Sequence, residues 1–294
     1  MFGTGVPDGG PGKGSALESL IAEAPYLHFS FTDGDFARVR ALIYRRAGIS
    51  LSPAKRDMVY SRLARRLRAR RLENFADYLD LVEQGDLQEL EAFINALTTN
   101  MTSFFREPHH FKILAERVAQ HPANRPLSIW TCASSTGEEP YSIAMTVRDA
   151  LKGSSRQPRI LATDIDTNVL ATAKQGIYTT EQLSKVAPEL VKRYFLKGEG
   201  RNQGFARVKS ELKQLVHFRR LNLLDNPWPM RGRFDFIFCR NVMIYFDRET
   251  QHGILKRLAG CLQPEGLLFV GHSESLHHAS DLFQICGNTV YSLK

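Results

Sequence analysis

The sequence predicts an open, mainly parallel α/β sheet with helices on both faces, preceded by a small all-helical unit. Three observations carry this expectation. From Leu127 onward, short apolar runs bounded by turn residues alternate with longer stretches of helical periodicity, the pattern of a doubly wound sheet. Before Leu127 no period-two pattern occurs, and apolar residues recur at helical spacing. At 294 residues the chain is long enough for one large domain plus a smaller one.

The elements follow in order. Residues 1–28 are rich in Gly and Pro and lack the apolar core of a signal peptide, so a disordered tail is expected. Residues 29–120 form the helical unit. Phe36, Val39, Leu42 and Ile43 share one helical face, with Asp33 placed to cap its start. In the next helix Val59, Leu63 and Leu67 form an apolar stripe, while Lys55, Arg62 and Arg66 stack on a neighbouring arc. Further periodic segments cover 75–82 and 87–97. Residues 121–294 form the sheet domain, with strands expected at 127–131, 159–163, 216–224, 234–239 and 266–270. Helices are expected at 139–151, 167–174 and 248–262, the last stopping before the turn Pro264-Glu265-Gly266. Residues 283–293 read as a terminal hairpin. Residues 196–215 break the rhythm: Gly198, Gly200 and Gly204 punctuate a segment that then alternates through Phe205, Arg207 and Lys209, a small β insertion on the rim.

Composition narrows the class further. At 43% hydrophobic and 24% charged residues the chain is ordinary for a globular protein. No stretch approaches the ~20 apolar residues of a membrane span. Cys132, Cys239, Cys261 and Cys286 are far apart, with no metal-ligand spacing. They read as core residues in a reducing compartment, so a cytoplasmic location and no metal site are expected. The net charge of +8 is concentrated: residues 55–71 hold eight basic residues against one acid, Asp57. So lopsided a run exceeds what a salt-bridged surface helix needs and points to an acidic partner.

The run from Trp130 to Met145 is the most informative stretch. A strand enters a helix through a turn with one glycine, Gly137, followed by Glu138, Glu139 and Pro140. Nucleotide sites of this type use three spaced glycines to approach a pyrophosphate. Two carboxylates would repel phosphate but suit a cationic cofactor with ribose hydroxyls, a description that S-adenosylmethionine meets. Glu138 and Glu139 read equally as ordinary acids of a helix's first turn. Asp164, at the end of the second strand, is placed to accept both ribose hydroxyls, since Asp166 and Thr167 are nearer the helix start and better placed to cap it. Tyr245 follows the strand 234–239, on the side of a parallel sheet where ligands bind.

Five elements then occur in one order: Asn100-Met101-Thr102-Ser103-Phe104-Phe105-Arg106-Glu107, Gly137-Glu138-Glu139-Pro140-Tyr141-Ser142, Asp164-Ile165-Asp166, Asn222-Leu223-Leu224 and Cys239-Arg240-Asn241-Val242-Met243-Ile244-Tyr245-Phe246. Together they resemble the chemotaxis-receptor glutamate O-methyltransferase (CheR) family over residues 30–294. One small departure is Ser134, where many relatives carry Cys. The resemblance implies a Rossmann-like class I S-adenosylmethionine methyltransferase that methylates glutamates on cytoplasmic receptor helices and releases S-adenosylhomocysteine. It implies that Asn100, Thr102, Arg106, Glu138, Asp164, Asn222, Leu223, Arg240 and Asn241 line the cofactor site. Arg106 and Tyr245 would be catalytic, Arg106 beside the incoming glutamate and Tyr245 near the transferred methyl. Glu138 would meet the cofactor's cationic end. Lys55, Arg62, Arg65 and Arg66 would recognise the acidic receptor helices. Similar glycine-spaced insertions in some relatives bind a short C-terminal receptor peptide as an added strand.

A carboxylate acceptor is already ionised at pH 7, so no general base is expected. The competing reading is an RNA methyltransferase, since a basic helical unit beside such a sheet also suits nucleic acid. Against it, the strand 234–239 ends in Arg240-Asn241-Val242 rather than an Asn/Asp-Pro-Pro-aromatic motif, and the basic helix offers only Tyr60 for base stacking. Neither nucleic-acid binding nor membrane insertion is expected, and nothing demands more than a monomer.

Overall fold

The computed structural model describes residues 28–152 and 154–294. The expected tail falls outside them, apart from His28. The chain opens with four helices, α1 (Asp33–Ala47), α2 (Arg56–Arg70), α3 (Phe75–Glu83) and α4 (Leu87–Leu97). Their starts follow from local chemistry. Thr32 rather than Asp33 caps α1, in a reciprocal box with Asp35. Asn74 caps α3 and Asp86 caps α4 through side-chain oxygens. Val39, Ile43, Val59, Leu63, Leu67, Tyr78 and Phe93 are fully buried where the four helices meet.

The remaining elements are α5 (His109–Gln120), β1 (Ser128–Thr131), α6 (Glu138–Ala150), β2 (Arg159–Asp164), α7 (Thr167–Gln175), β3 (Ile177–Thr179), α8 (Pro188–Tyr194), β4 (Phe195–Lys197), β5 (Phe205–Val208), α9 (Ser210–Lys213), β6 (Val216–Arg220), β7 (Phe234–Cys239), α10 (Arg248–Cys261), β8 (Leu262–Val270), β9 (Phe283–Gly287) and β10 (Val290–Leu293). Helix α5 departs from the expected grouping. Its Phe111, Leu114 and Val118 pack with Ile143 and Val147 of α6 in the sheet's core. The helical unit therefore closes near residue 98 rather than at 120.

The main sheet has seven strands in the order β6-β2-β1-β7-β8-β10-β9. The first five are mutually parallel, and β10 runs antiparallel to both β8 and β9. Side-chain alternation sorts its core into two layers. Ile129, Phe236 and Phe238 face one side, while Trp130, Ile237 and Cys239 face the other. Strand β1 is the point from which the order runs outward both ways, so a crevice opens above β1 and its neighbours at their carboxyl ends.

Two expected boundaries shift. The strand expected over 216–224 ends at Arg220, because Leu221 donates its N–H to Asp164 O and the chain then turns through Asn222–Asp225. The β insertion expected at 196–215 is a three-stranded antiparallel sheet, β3-β5-β4, that begins at Ile177, directly after the left-handed Gly176 that ends α7. Three-residue strands are too short to show a period, which is why β3 was not expected.

Candidate active site

A cavity of about 410 Å³ lies between the helical unit and the carboxyl ends of the central strands, within the range of roughly 300–1,000 Å³ usual for ligand pockets. Its floor is the turn after β1. Gly137 there has φ 101°, and a Cβ would meet Tyr178 Oη at 2.6 Å and Ala173 Cβ at 2.9 Å, so the turn requires glycine. Ser135 and Asn241, also left-handed, line the cavity, and left-handed Phe105 and Glu107 flank Arg106. Non-glycine backbone held in this region gathers at sites that a surrounding structure over-determines.

Asp164 ends β2 and is buried at the cavity wall. Its carboxylate accepts Ser135 N–H at 2.8 Å and Asp166 N–H at 3.0 Å. Burial pushes its carboxyl up to about 6, against the opposing pull of those N–H bonds. Asp166 takes the capping role, accepting from Asn168 and Val169 N–H at the start of α7. Its other oxygen accepts Thr98 Oγ1 and Asn100 Nδ2, both at 2.7 Å, which fixes Asn100 at the wall.

Glu138 and Glu139 take different directions. Glu139 lines the cavity, accepting Thr131 Oγ1 at 2.6 Å and pairing with Arg240 Nη1 at 2.7 Å. Glu138 is buried away from the cavity, bonded to Thr136 Oγ1 and Gln182 Nε2, with burial holding its carboxyl above the ordinary range. Of the two acids, Glu139 and not the expected Glu138 lines the cavity. Arg240, expected to line the cofactor site, lines the cavity. Its side chain, 1% exposed, also pairs with Glu107 at 3.2 Å and donates to Arg106 O. This triad around buried Arg240 ties the segment carrying Arg106 to the first turn of α6. Glu139 and Arg240 are separated by 101 residues, so no local pattern announces the pair.

Arg106 stands exposed at the rim, its Nη1 donating to Met101 O at 3.1 Å. Thr102, Leu223 and Tyr245 also line the cavity. Asn222 donates Nδ2 to Arg46 O at 2.7 Å, and Tyr245 O accepts Ser50 N–H at 2.8 Å, so helical unit and sheet close the cavity together. Exposed Met101 and Ile244 form apolar lips at the rim. Around Tyr245, Met243 and Phe246 are buried and Ile244 is exposed.

The basic helix needs the larger correction. Arg66 forms a bidentate pair with buried Glu89, at 2.9 and 2.7 Å. Arg62 donates to Ala96 O and Thr98 O. Arg56 pairs with Asp33, and Arg70 with Asp86. Arg62 and Arg66 are therefore committed inside the protein, because acids and carbonyls of α1 and α4 supply partners that α2 itself lacks. Lys55 reaches the cavity rim and Arg65 is solvent-exposed.

The fit to S-adenosylmethionine can be judged on these residues. The cavity has two carboxylates, amide side chains and an apolar lining, with no glycine-rich phosphate cradle. That donor and acceptor set suits a cation with ribose hydroxyls and an adenine. Fold and site together define a methyltransferase of the S-adenosylmethionine-binding type. Family models match in two adjacent pieces, "CheR methyltransferase, all-alpha domain" over residues 34–98 and "CheR methyltransferase, SAM binding domain" over residues 100–292. The chain is 52% identical over 265 residues to Chemotaxis protein methyltransferase 2 of Pseudomonas aeruginosa, covering 90% of this chain and 94% of that protein. It is 51% identical over 282 residues to the Chemotaxis protein methyltransferase of Klebsiella aerogenes, with 96% and 95% coverage. To that of Escherichia coli it is 49% identical over 265 residues, with 90% and 92% coverage. The chain belongs to the CheR methyltransferase family.

Proposed function

We propose that this protein transfers a methyl group from S-adenosylmethionine to glutamate side chains on the cytoplasmic helices of chemotaxis receptors, forming 5-O-methyl esters. The observation that carries this is Arg106, an exposed cation at the rim of a cavity whose wall carries two carboxylates, Glu139 and Asp164, a set that suits a cationic cofactor and an anionic acceptor. The bound cofactor supplies an electrophilic methyl on a good leaving group. Glutamate arrives ionised and needs no base. Arg106 releases Met101 O and aligns the carboxylate through paired N–H donors. Tyr245, also in the cavity lining, limits its approach, and the lips Met101 and Ile244 exclude water around it. Alignment of this kind supplies roughly 7–11 kcal/mol of a barrier. Asp164 would hold the ribose, Asn100, Thr102, Asn222 and Leu223 would contact the cofactor, and Arg240-Asn241 would contact its adenine. One chain supplies every one of these residues, so the reading needs no second copy.

Lys55, just before α2, and Arg65 on α2, neither of them paired with an acid among the described residues, steer the acidic methylation region toward the rim. The small sheet β3-β5-β4 serves as a tether. Ile177, Leu196 and Phe205 are exposed on it, and a receptor's C-terminal peptide would add as a further strand, raising the enzyme's local concentration. An RNA substrate is disfavoured by Tyr60, the aromatic of α2, which packs on Phe31 and Phe75 and is not free to stack on a base. The test is transfer of labelled methyl to receptor-containing membranes followed by mild alkali. Label released as volatile methanol supports the ester; alkali-stable label refutes it.

A further inference from the structure

The turn after β7 carries Asn241 and Tyr245 into the cavity. Asn241 sits at φ 57°, in the left-handed region, and two N–H groups of this turn, with one from the loop after β8, converge on one side chain. Glu274, 5% exposed and absent from the cavity lining, accepts Asn241 N–H at 2.8 Å, Met243 N–H at 2.8 Å and Gly271 N–H at 2.6 Å. The close approach is specific to glycine at 271: a Cβ there would collide with Asn241 Nδ2 and lie 2.7 Å from Glu274 Oε2. A buried carboxylate has no other means of meeting its hydrogen-bonding need, and each N–H it accepts would otherwise be orphaned.

We infer that Glu274 is a positioning residue for cofactor binding, its carboxylate presetting the turn that presents Asn241 and Tyr245. The inference rests on the cavity being the cofactor site. A carboxylate suits the task better than an amide because all its lone pairs accept. In Gln the NH₂ group would face at least one backbone N–H. Burial pushes the Glu274 carboxyl up, while the backbone N–H bonds pull it down, as expected of an ion retained for the bonds it accepts.

The experiment is calorimetric titration of the full chain with S-adenosylhomocysteine, which needs no receptor. If the unaltered protein fails to bind, the cofactor reading fails before this inference is reached. With binding established, Glu274→Gln should raise the Kd about tenfold or more. Asp235→Asn, at the opposite end of the strands, is the comparator. Asp235 is buried and bonds Arg125 and Ser128 N–H, so its loss should lower Tm and leave Kd within about twofold. Gly271→Ala, which pushes on the same turn from its other side, should raise Kd as Glu274→Gln does. A Glu274→Gln protein with lowered Tm but unchanged Kd would overturn the inference. Should both variants fail to fold, amide exchange of the unaltered protein decides. Asn241, Met243 and Gly271 amides protected without cofactor support a preset turn; protection that appears only with cofactor refutes it.

Discussion

Arg66 clasps Glu89 through two parallel N–H···O bonds, and Tyr78 Oη donates to the same carboxylate at 2.9 Å. Glu89 is 1% exposed, so removing Arg66 leaves a buried charge with only the longer 3.6 Å approach of Arg70 Nε and the Tyr78 hydroxyl. Arg66→Ala should therefore cost about 2 kcal/mol of stability in chemical denaturation. Arg65→Ala should cost less than ~0.5 kcal/mol and instead raise the KM for receptor at low salt, an effect that added salt erases. The reverse assignment of the two effects would contradict the division of α2 into packed and free cations.

Neighbouring Glu138 and Glu139 should behave differently as Gln variants. Glu139→Gln weakens the pair with Arg240 and alters the cavity wall, so S-adenosylhomocysteine Kd should rise about tenfold. Glu138→Gln replaces a carboxylate that burial already disfavours and keeps a partner in Thr136. Its Kd should stay within about twofold, with stability at neutral pH held or improved. Calorimetry on both settles which acid the cofactor meets.

Asp164 gives a pH signature. Its carboxyl is pushed up to about 6 from an ordinary value of 3.8. A raised folded value means that this group's contribution to stability is greatest below the ordinary value and is lost as pH rises through about 6. Cofactor binding asks the opposite, since ribose hydroxyls are best accepted by the ionised form. S-adenosylhomocysteine Kd should therefore fall between about pH 5 and 7 and level off above, while Asp164→Asn binds weakly with no such step. A flat profile for the unaltered protein would remove Asp164 from the ribose.

Arg106 and Asp164 divide turnover from affinity. Arg106→Ala should lower kcat by roughly 100-fold or more with little change in cofactor KM, because it aligns the acceptor. Asp164→Ala should mainly raise cofactor KM. Equal losses in both parameters for both variants would dissolve the distinction.

Much of this arrangement was legible in the chain. The strand–helix alternation placed Asp164 and Tyr245 at carboxyl ends of strands, and the lone Gly137 marked the turn. What escaped was information held between distant segments. Counting charges along α2 could not see that Glu89 lies across from Arg66 on another helix, nor that carbonyls at Ala96 and Thr98 receive Arg62. The choice between Glu138 and Glu139 depends on Arg240, a residue just past the end of β7, far along the chain. Helix α5 has the same periodicity as α1 to α4, and periodicity does not say which core a helix joins. Glu274 lies in a loop whose purpose appears only when the turn at Asn241 is beside it.

The small sheet invites a deletion test. Trimming the C-terminal peptide from a cognate receptor should weaken enzyme binding and slow methylation, and Leu196→Ser in the enzyme should reproduce the loss without altering cofactor Kd. Unchanged binding to the trimmed receptor would leave the sheet without a role in tethering.

Ser50 N–H reaches Tyr245 O, and Asn222 reaches Arg46 O, so the joint between the helices and the sheet is also the wall of the cavity. In the proposed function, target choice and grip on the methyl donor are consequently not independent traits. A substitution that reshapes α1 or α2 for a new receptor shifts Ser50 or Arg46 and with them the donor's wall. Lineages that change receptors should therefore carry paired changes on both sides of this joint, and grafting the helices alone from one relative to another should cost donor affinity before it gains a new target.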